Sequence, residues 1–190
     1  MRSINRLGGR SVSLPLSADD VVEFHAARLL LLLNLCGTAG RIDGLTKLAK
    51  LDFFVRYPDF FETAKAAEKP STSATAQAPA KHDDAVESAM VRHHYGPWDK
   101  RYYHVLAHLE AKRLIAVSKH GNAFRVALSD LGRERAAALA ARPSFRPLAE
   151  RMREVKRAFG SRSGTALKDL VYRLFDAEVG RRSLGEVIRG

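Results

Sequence analysis

Four histidines, His93, His94, His104 and His108, fall within one short stretch of this 190-residue chain. His104 and His108 stand at i and i+4, a helical spacing that can place two imidazoles on one zinc ion. A zinc-protease helix also needs a glutamate directly after its first histidine. Here the run is His104-Val105-Leu106-Ala107-His108, and the single thiol, Cys36, lies far off in an apolar run. No metal is expected, and the imidazoles read as part of a basic, partly titratable surface. The carboxylate pairs Asp19-Asp20 and Asp83-Asp84 sit at predicted helix starts, where the helix dipole accounts for them. The Gly8-Gly9 pair is followed by no Gly-Lys-Ser/Thr pattern, and no dinucleotide fingerprint, nucleophile elbow or zinc ribbon occurs. The chain therefore reads as a non-enzyme without a cofactor.

The histidines gain a purpose when cations beside them are counted. Arg101, His104, His108 and Lys112 are spaced by three, four and four, so a helix shows them on one face. Phosphates need such cations on a rigid scaffold. The elements that would position them are legible. Gly96-Pro97 makes a tight turn into a helix over 99–113, whose other face holds Tyr102, Val105, Leu106 and Leu109. Strands over 114–117 and 123–128 flank Gly121-Asn122, a hairpin-compatible turn. Ser129 then caps a helix over 130–141. Helix, two-stranded wing and capped helix in that order match the second half of a winged-helix domain. Lys119, His120 and Arg125 would lie on the wing, and Lys119 and Arg125 join the helix face as candidate DNA contacts. Trp98 and Tyr95 read as core anchors or interface residues rather than base-stackers.

The rest of the chain completes that unit or extends from it. Residues 1–17 carry Arg2, Arg6 and Arg10 with no helix or strand period, and read as a flexible basic arm. Ser17 caps a predicted helix over 18–35, in which Leu29 to Leu33 is apolar on nearly all sides, as in a central helix. Asp43 is expected to cap a helix over 44–57, with Leu45, Leu48, Leu51 and Val55 on one stripe and Lys47, Lys50 and Arg56 off it. A short helix over 59–67 follows. Residues 69–81 hold no large apolar side chain and read as a flexible insert, with an interdomain linker as the alternative. A short helix is expected from Asp83 or Asp84 through Val91. The winged-helix-like domain thus spans 18–141, and the fold class is mainly α.

Residues 142–190 read as a helical extension for docking a partner. Ser144 caps a helix to Phe159 with a narrow seam at Phe145, Leu148, Met152, Val155 and Phe159. Ser163 or Thr165 caps a second amphipathic helix, with Leu167, Leu170, Val171, Leu174 and Phe175, ending near Gly180. Leu184, Val187 and Ile188 suggest a last short turn. Basic side chains cover the remainder of these helices.

A formal charge of +11 points to an anionic partner, nucleic acid first and an acidic protein surface second. Residues 18–100 hold 10 Lys/Arg against 12 Asp/Glu, whereas 101–140 hold 7 against 3 and 141–190 hold 12 against 6. The positive field belongs to the wing half, the tail and the arm. One cysteine allows no intrachain disulfide, which suits a reducing cytoplasm. No secretory signal is read at the N-terminus, and the most apolar segment, 26–36, is far short of the ~20 residues that cross a bilayer. No membrane partner is expected.

Three stretches carry a family resemblance. Gly-Leu-Thr-Lys-Leu-Ala-Lys-Leu-Asp-Phe-Phe (44–54), Arg-His-His-Tyr-Gly-Pro-Trp (92–98) and Leu-Glu-Ala-Lys-Arg-Leu-Ile (109–115) resemble the small middle component of ABC-three-component, or Lamassu-type, antiphage systems, over roughly residues 20–140. A lysine-leucine helix followed by Tyr-Gly-Pro also resembles the antitoxin-like Panacea domain. The first resemblance implies a non-catalytic accessory subunit that bridges an SMC-like ATPase and an effector, often a nuclease, near DNA. The tail helices would then dock those partners. The alternatives are a stand-alone winged-helix DNA-binding regulator and an antitoxin-like adaptor.

Overall fold

In the computed structural model, residues 21–68, 90–121, 123–181 and 183–188 are described. The basic arm, Ser17 with its capping role, the 69–81 insert and the predicted helix start at Asp83 or Asp84 lie outside them.

The order is α1 (Val22–Cys36), β1 (Arg41–Asp43), α2 (Leu45–Arg56), α3 (Pro58–Ala67), β2 (Val91–His93), β3 (Gly96–Trp98), α4 (Tyr102–Ala111), β4 (Ile115–His120), β5 (Ala123–Leu128), α5 (Asp130–Ala140), α6 (Arg146–Phe159) and α7 (Gly164–Leu174). The protein is mainly helical, with a small antiparallel sheet ordered β1-β5-β4 and a separate β2–β3 hairpin. Helix α1 lies at the centre. Its Leu29 to Leu33 run is buried on every side, with α2, α4, α5 and α6 packed around it. A helix apolar all round has no face to give to water, so surrounding it is the stable arrangement.

Ile42, Val126, Leu128 and Ile115 turn the inner face of the sheet onto this core. The register pairs Ile42 with Val126 and His120 with Ala123, so β4 and β5 are joined by a two-residue turn. Gly121 takes φ +58 there, a conformation favoured in glycine because it lacks a Cβ. Strand β4 therefore runs three residues beyond the predicted end at Val117.

Several predicted boundaries move for local reasons. Asp43 does not cap α2. It is the last residue of β1, where it meets Arg125 at 2.9 Å and Arg41 at 3.3 Å, and Gly44 at φ +92 starts the helix. Ser144 sits in a 3-10 turn and makes no cap on α6. Val91 is strand instead of helix end. Helix α4 begins at Tyr102 because Asp99 turns the chain first, its carboxylate accepting from the Arg101 amide at 2.9 Å. It ends with Arg113 at φ +56 and the Leu114 amide donating to the Leu109 carbonyl, which satisfies a terminal carbonyl. Ser129 caps α5 as expected, accepting from Gly132 at 2.9 Å. Gly132 is required for packing: a Cβ there would lie 1.9 Å from the Leu114 carbonyl oxygen.

The tail helices pack on this chain itself. Met152, Val155 and Phe159 of α6, and Leu167, Leu170 and Val171 of α7, are buried in the same hydrophobic cluster as Leu29 and Phe53. Phe145, Leu148 and Leu174 are half-buried against it. The Phe159 ring lies tilted 4.7 Å from Phe54, and Phe175 meets Phe60 edge-on at 4.7 Å. Such pairs add about 0.5–1.5 kcal/mol each beyond their burial. The seam expected to dock a partner is thus covered by α1, α2 and α3, because two apolar stripes in one chain meet at high effective concentration. Cations follow. Lys156 donates to the Cys36 and Gly37 carbonyls at the end of α1, and Lys47 donates to the Gly160 carbonyl at the end of α6. Arg162 and Arg173 both pair with Glu68 after α3. Part of the positive charge therefore serves helix termini and internal pairs.

The last described residues turn at Leu184 and Gly185 and then run along the edge of β2. Val187 bridges Val91, and the Ile188 amide donates to the Met90 carbonyl. Ile188 is buried, and the Tyr57 hydroxyl donates to its carbonyl. Among the described residues, no helix is long and apolar enough to cross a membrane.

Candidate nucleic-acid interface and the buried charges beneath it

Helix α4 packs on α1 and β4 through Tyr102, Val105, Leu106 and Leu109. Its outer side carries Tyr103, His104 and Lys112, all exposed, with His108 half-buried. Lys119 is exposed on the hairpin that follows. Among the described residues, no ion pair engages Lys112, Arg113 or Lys119. His104 and His108 lie on α4, Lys112 follows its last turn and Lys119 lies on β4, the next element in the chain. His120 carries the turn of this hairpin. Arg125 differs. Its guanidinium is paired with Asp43 across β5 and β1 at 2.9 Å, which lowers its availability to a phosphate.

Arg101 differs more. It is 32% exposed, its Nε lies 3.4 Å from Asp99, and its Nη1 approaches the His25 ring at 2.8 Å. It belongs to a buried cluster that sequence reasoning did not assemble. Arg28 on α1 lies 3.1 Å from Asp52 on α2 and 3.6 Å from Asp99. Arg56 on α2 donates to Asp99 at 2.9 Å. The Tyr102 hydroxyl donates to Asp52 at 2.7 Å, and Arg28 also approaches His25 at 3.1 Å. Asp52 is fully buried, and Asp99 is 5% exposed. Buried charges persist only when paired. Here each carboxylate meets guanidinium groups from two helices.

The electrostatics follow from that geometry. Burial raises the Asp99 carboxyl, but the Arg101 amide and then Arg56, Arg101 and Arg28 outweigh it and hold it below the usual range. Burial, followed by the Asp52 charge, pushes the Tyr102 hydroxyl well up, so it stays a hydrogen-bond donor. The cluster ties α1, α2 and the first turn of α4 at one point and fixes where the α4 face points. One signal for it was legible: Arg28 within a leucine run and Asp52 between Leu51 and Phe53 must find opposite charges once buried.

Gly96-Pro97, expected to turn into the helix, is instead part of strand β3, with the turn at His94 and Tyr95, and this strand rests on a second buried cation. Lys50 is 0% exposed and donates to the Pro97 carbonyl at 3.0 Å, its one acceptor among the described residues. Gly96, at φ +89, lies directly on it; a Cβ would stand 3.4 Å from Lys50 Nζ. Burial, and next the charge of Lys168, bring the Lys50 amine down to about 7. A perturbed lysine is often a functional group. This ammonium has no surface open to a substrate, so its role is to hold β3. Above it, His93 is lowered by burial, then by His94 and Lys50. Trp98 is buried and packs edge-on to Tyr102, as an anchor should, while Tyr95 is exposed.

Cys36 is buried, donates to the Met152 carbonyl, and is pushed up to about 12 by burial, which makes it an inert thiol. Among the described residues, no group of three or more histidine, cysteine or acidic side chains is placed to hold a metal. Comparisons with protein-family models, curated proteins and solved structures find no match to this chain.

Proposed function

We propose that this chain is a non-catalytic, winged-helix-type module that binds the backbone of duplex nucleic acid through α4 and the β4–β5 hairpin. The observation that carries this reading is the outward set His104, Lys112, Arg113 and Lys119, held on a helix that runs straight into a hairpin. The three-stranded order β1-β5-β4, with α4 just before β4, supports the winged-helix assignment. A helix and a flanking hairpin are the two parts that such a module lays on a groove and its backbone. The motif resemblance at 44–54, 92–98 and 109–115 supports a cytoplasmic setting as an accessory subunit of an SMC-like ATPase antiphage complex, between the ATPase and its effector.

Duplex binding measured by fluorescence anisotropy across salt tests the interface. Replacing Lys112 and Lys119 with Glu is expected to weaken binding and to reduce the salt slope by about 2, because each lost phosphate contact releases fewer counterions. Arg153→Glu, an exposed charge change on α6, is expected to leave the slope nearly as it was. Equal slopes in all three proteins would remove α4 and the hairpin as the interface. Co-purification with a large coiled-coil ATPase from native cells tests the setting; a lone homodimer with a preferred operator would overturn it.

A further inference from the structure

Next to the α4 face lies a contiguous row of rings. His94 meets His93 edge-on at 5.0 Å, His93 stacks on Trp98 at 5.5 Å and 29°, and Trp98 meets Tyr103 at 5.8 Å. His93 and His94 are exposed, and Tyr103 is 63% exposed. We propose that the exposed rings of His93, His94 and Tyr103, backed by the buried Trp98, form a stacking platform for unpaired bases, so that the preferred ligand is a nucleic-acid duplex carrying a single-stranded extension. The proposal rests on the reading of α4 as the duplex-binding helix and names the part of the ligand beyond the duplex.

Three observations support that ligand. First, the platform is rigid. Trp98 is seated on Tyr102, whose hydroxyl is held by Asp52, and the Pro97 carbonyl is held by Lys50. Base stacking needs rings that lose little freedom on binding. Second, the ring-bearing segment holds few acids: from Met90 to Leu109 the only one is Asp99, which is buried and paired, and Lys100 is exposed, while exposed Glu186 lies on the segment bonded to Arg92. Rings among cations are the composition of a single-strand groove. A protein-docking centre is instead depleted in charge. Third, the platform is continuous with the duplex face, since Tyr103 and His104 are neighbours in the first turn of α4. A strand leaving the duplex there would pass onto the rings.

The full chain is titrated with a blunt duplex and with the same duplex carrying a short oligo-dT extension, following anisotropy and the emission of Trp98, the only tryptophan. The extension is expected to tighten binding by about 5-fold or more and to change the emission of Trp98, which lies beneath His93 and Tyr103. Tyr103→Ala is expected to bring the ratio of the two affinities toward one, and Tyr103→Phe to preserve it. Lys112→Glu is expected to weaken both ligands and keep the ratio. Equal affinity for the two ligands, with duplex binding intact, overturns the platform and leaves the rings to a protein surface; the duplex reading then stands. Loss of binding to both ligands in the unaltered protein overturns both.

Discussion

On α2, Lys47, Lys50 and Arg56 stand off an apolar stripe, as His104, His108 and Lys112 do on α4. The α2 cations are covered. Lys47 reaches the Gly160 carbonyl, Lys50 lies under Pro97, and Arg56 is held by Asp99. On α4, His104 and Lys112 are exposed and His108 is half-buried, and Lys112 meets no acid among the described residues. The difference lies in the neighbours. Helix α2 is packed by α6, α7 and β3 as well as α1, so even its polar side is roofed. Helix α4 packs on α1 and β4 and keeps one side open. Polar groups set off an apolar stripe therefore become internal fastening in one helix and an exposed face in the other. A basic stripe becomes an interface only when no other part of the fold covers it.

The largest expected effect breaks the comparison at α2. Asp52→Ala removes the acceptor of Tyr102 and the counter-charge of Arg28, leaving buried groups uncompensated. It is expected to cost about 3–5 kcal/mol, read as a fall in the denaturant midpoint. A loss below about 1 kcal/mol would show that the cluster is not the fastening described here.

Lys50 gives a smaller effect with a definite sign. Its amine sits near 7 in the folded chain against an ordinary 10.5. Above pH 7 the unfolded chain holds this proton and the folded chain releases it, so folding stability rises with pH. One such group contributes up to about 1.4 kcal/mol per pH unit. Denaturation at pH 7 and pH 8.5, below the ordinary 9.0 of the Cys36 thiol, is expected to show this rise. Lys50→Met is expected to flatten it. A rise of the same size in the variant would assign the proton to another group.

The smallest effect sharpens the α4 side. His104→Ala and Lys112→Glu are each expected to change stability by no more than about 0.5 kcal/mol, because both side chains are exposed and neither is paired among the described residues. A larger loss would place them among the fastenings and out of the interface.

Local chemistry accounts for what could be read in advance. The apolar run of α1 implied a central helix, alternation at Phe124, Val126 and Leu128 implied the second strand of the hairpin, and Leu-Ser-Asp-Leu-Gly implied the cap of α5. Each signal acts within a few residues, where backbone geometry and side-chain period decide. Asp43 was misassigned because a carboxylate before a helix looks like a cap until a strand from elsewhere, β5, brings Arg125 to it. The tail seam was misassigned for a related reason. Phe145 to Phe159 has the period of a partner-docking helix, and period cannot say whether the partner is another chain or α1, α2 and α3 of the same one.

By itself, then, the amino-acid sequence determined the helix types, the β4–β5 hairpin and the excess of positive charge, since all of these depend on residue type and short-range spacing; the Gly96-Pro97 turn it suggested is instead strand β3. Only the tertiary structure decided which charges are available. It drew Arg28, Asp52, Arg56, Asp99 and Arg101 together from three segments, closed Lys50 beneath Pro97, and left Lys112 and Lys119 open. Burial is a property of what packs on a residue from far along the chain, and the free energy of a charge depends on that burial more than on its neighbours in sequence.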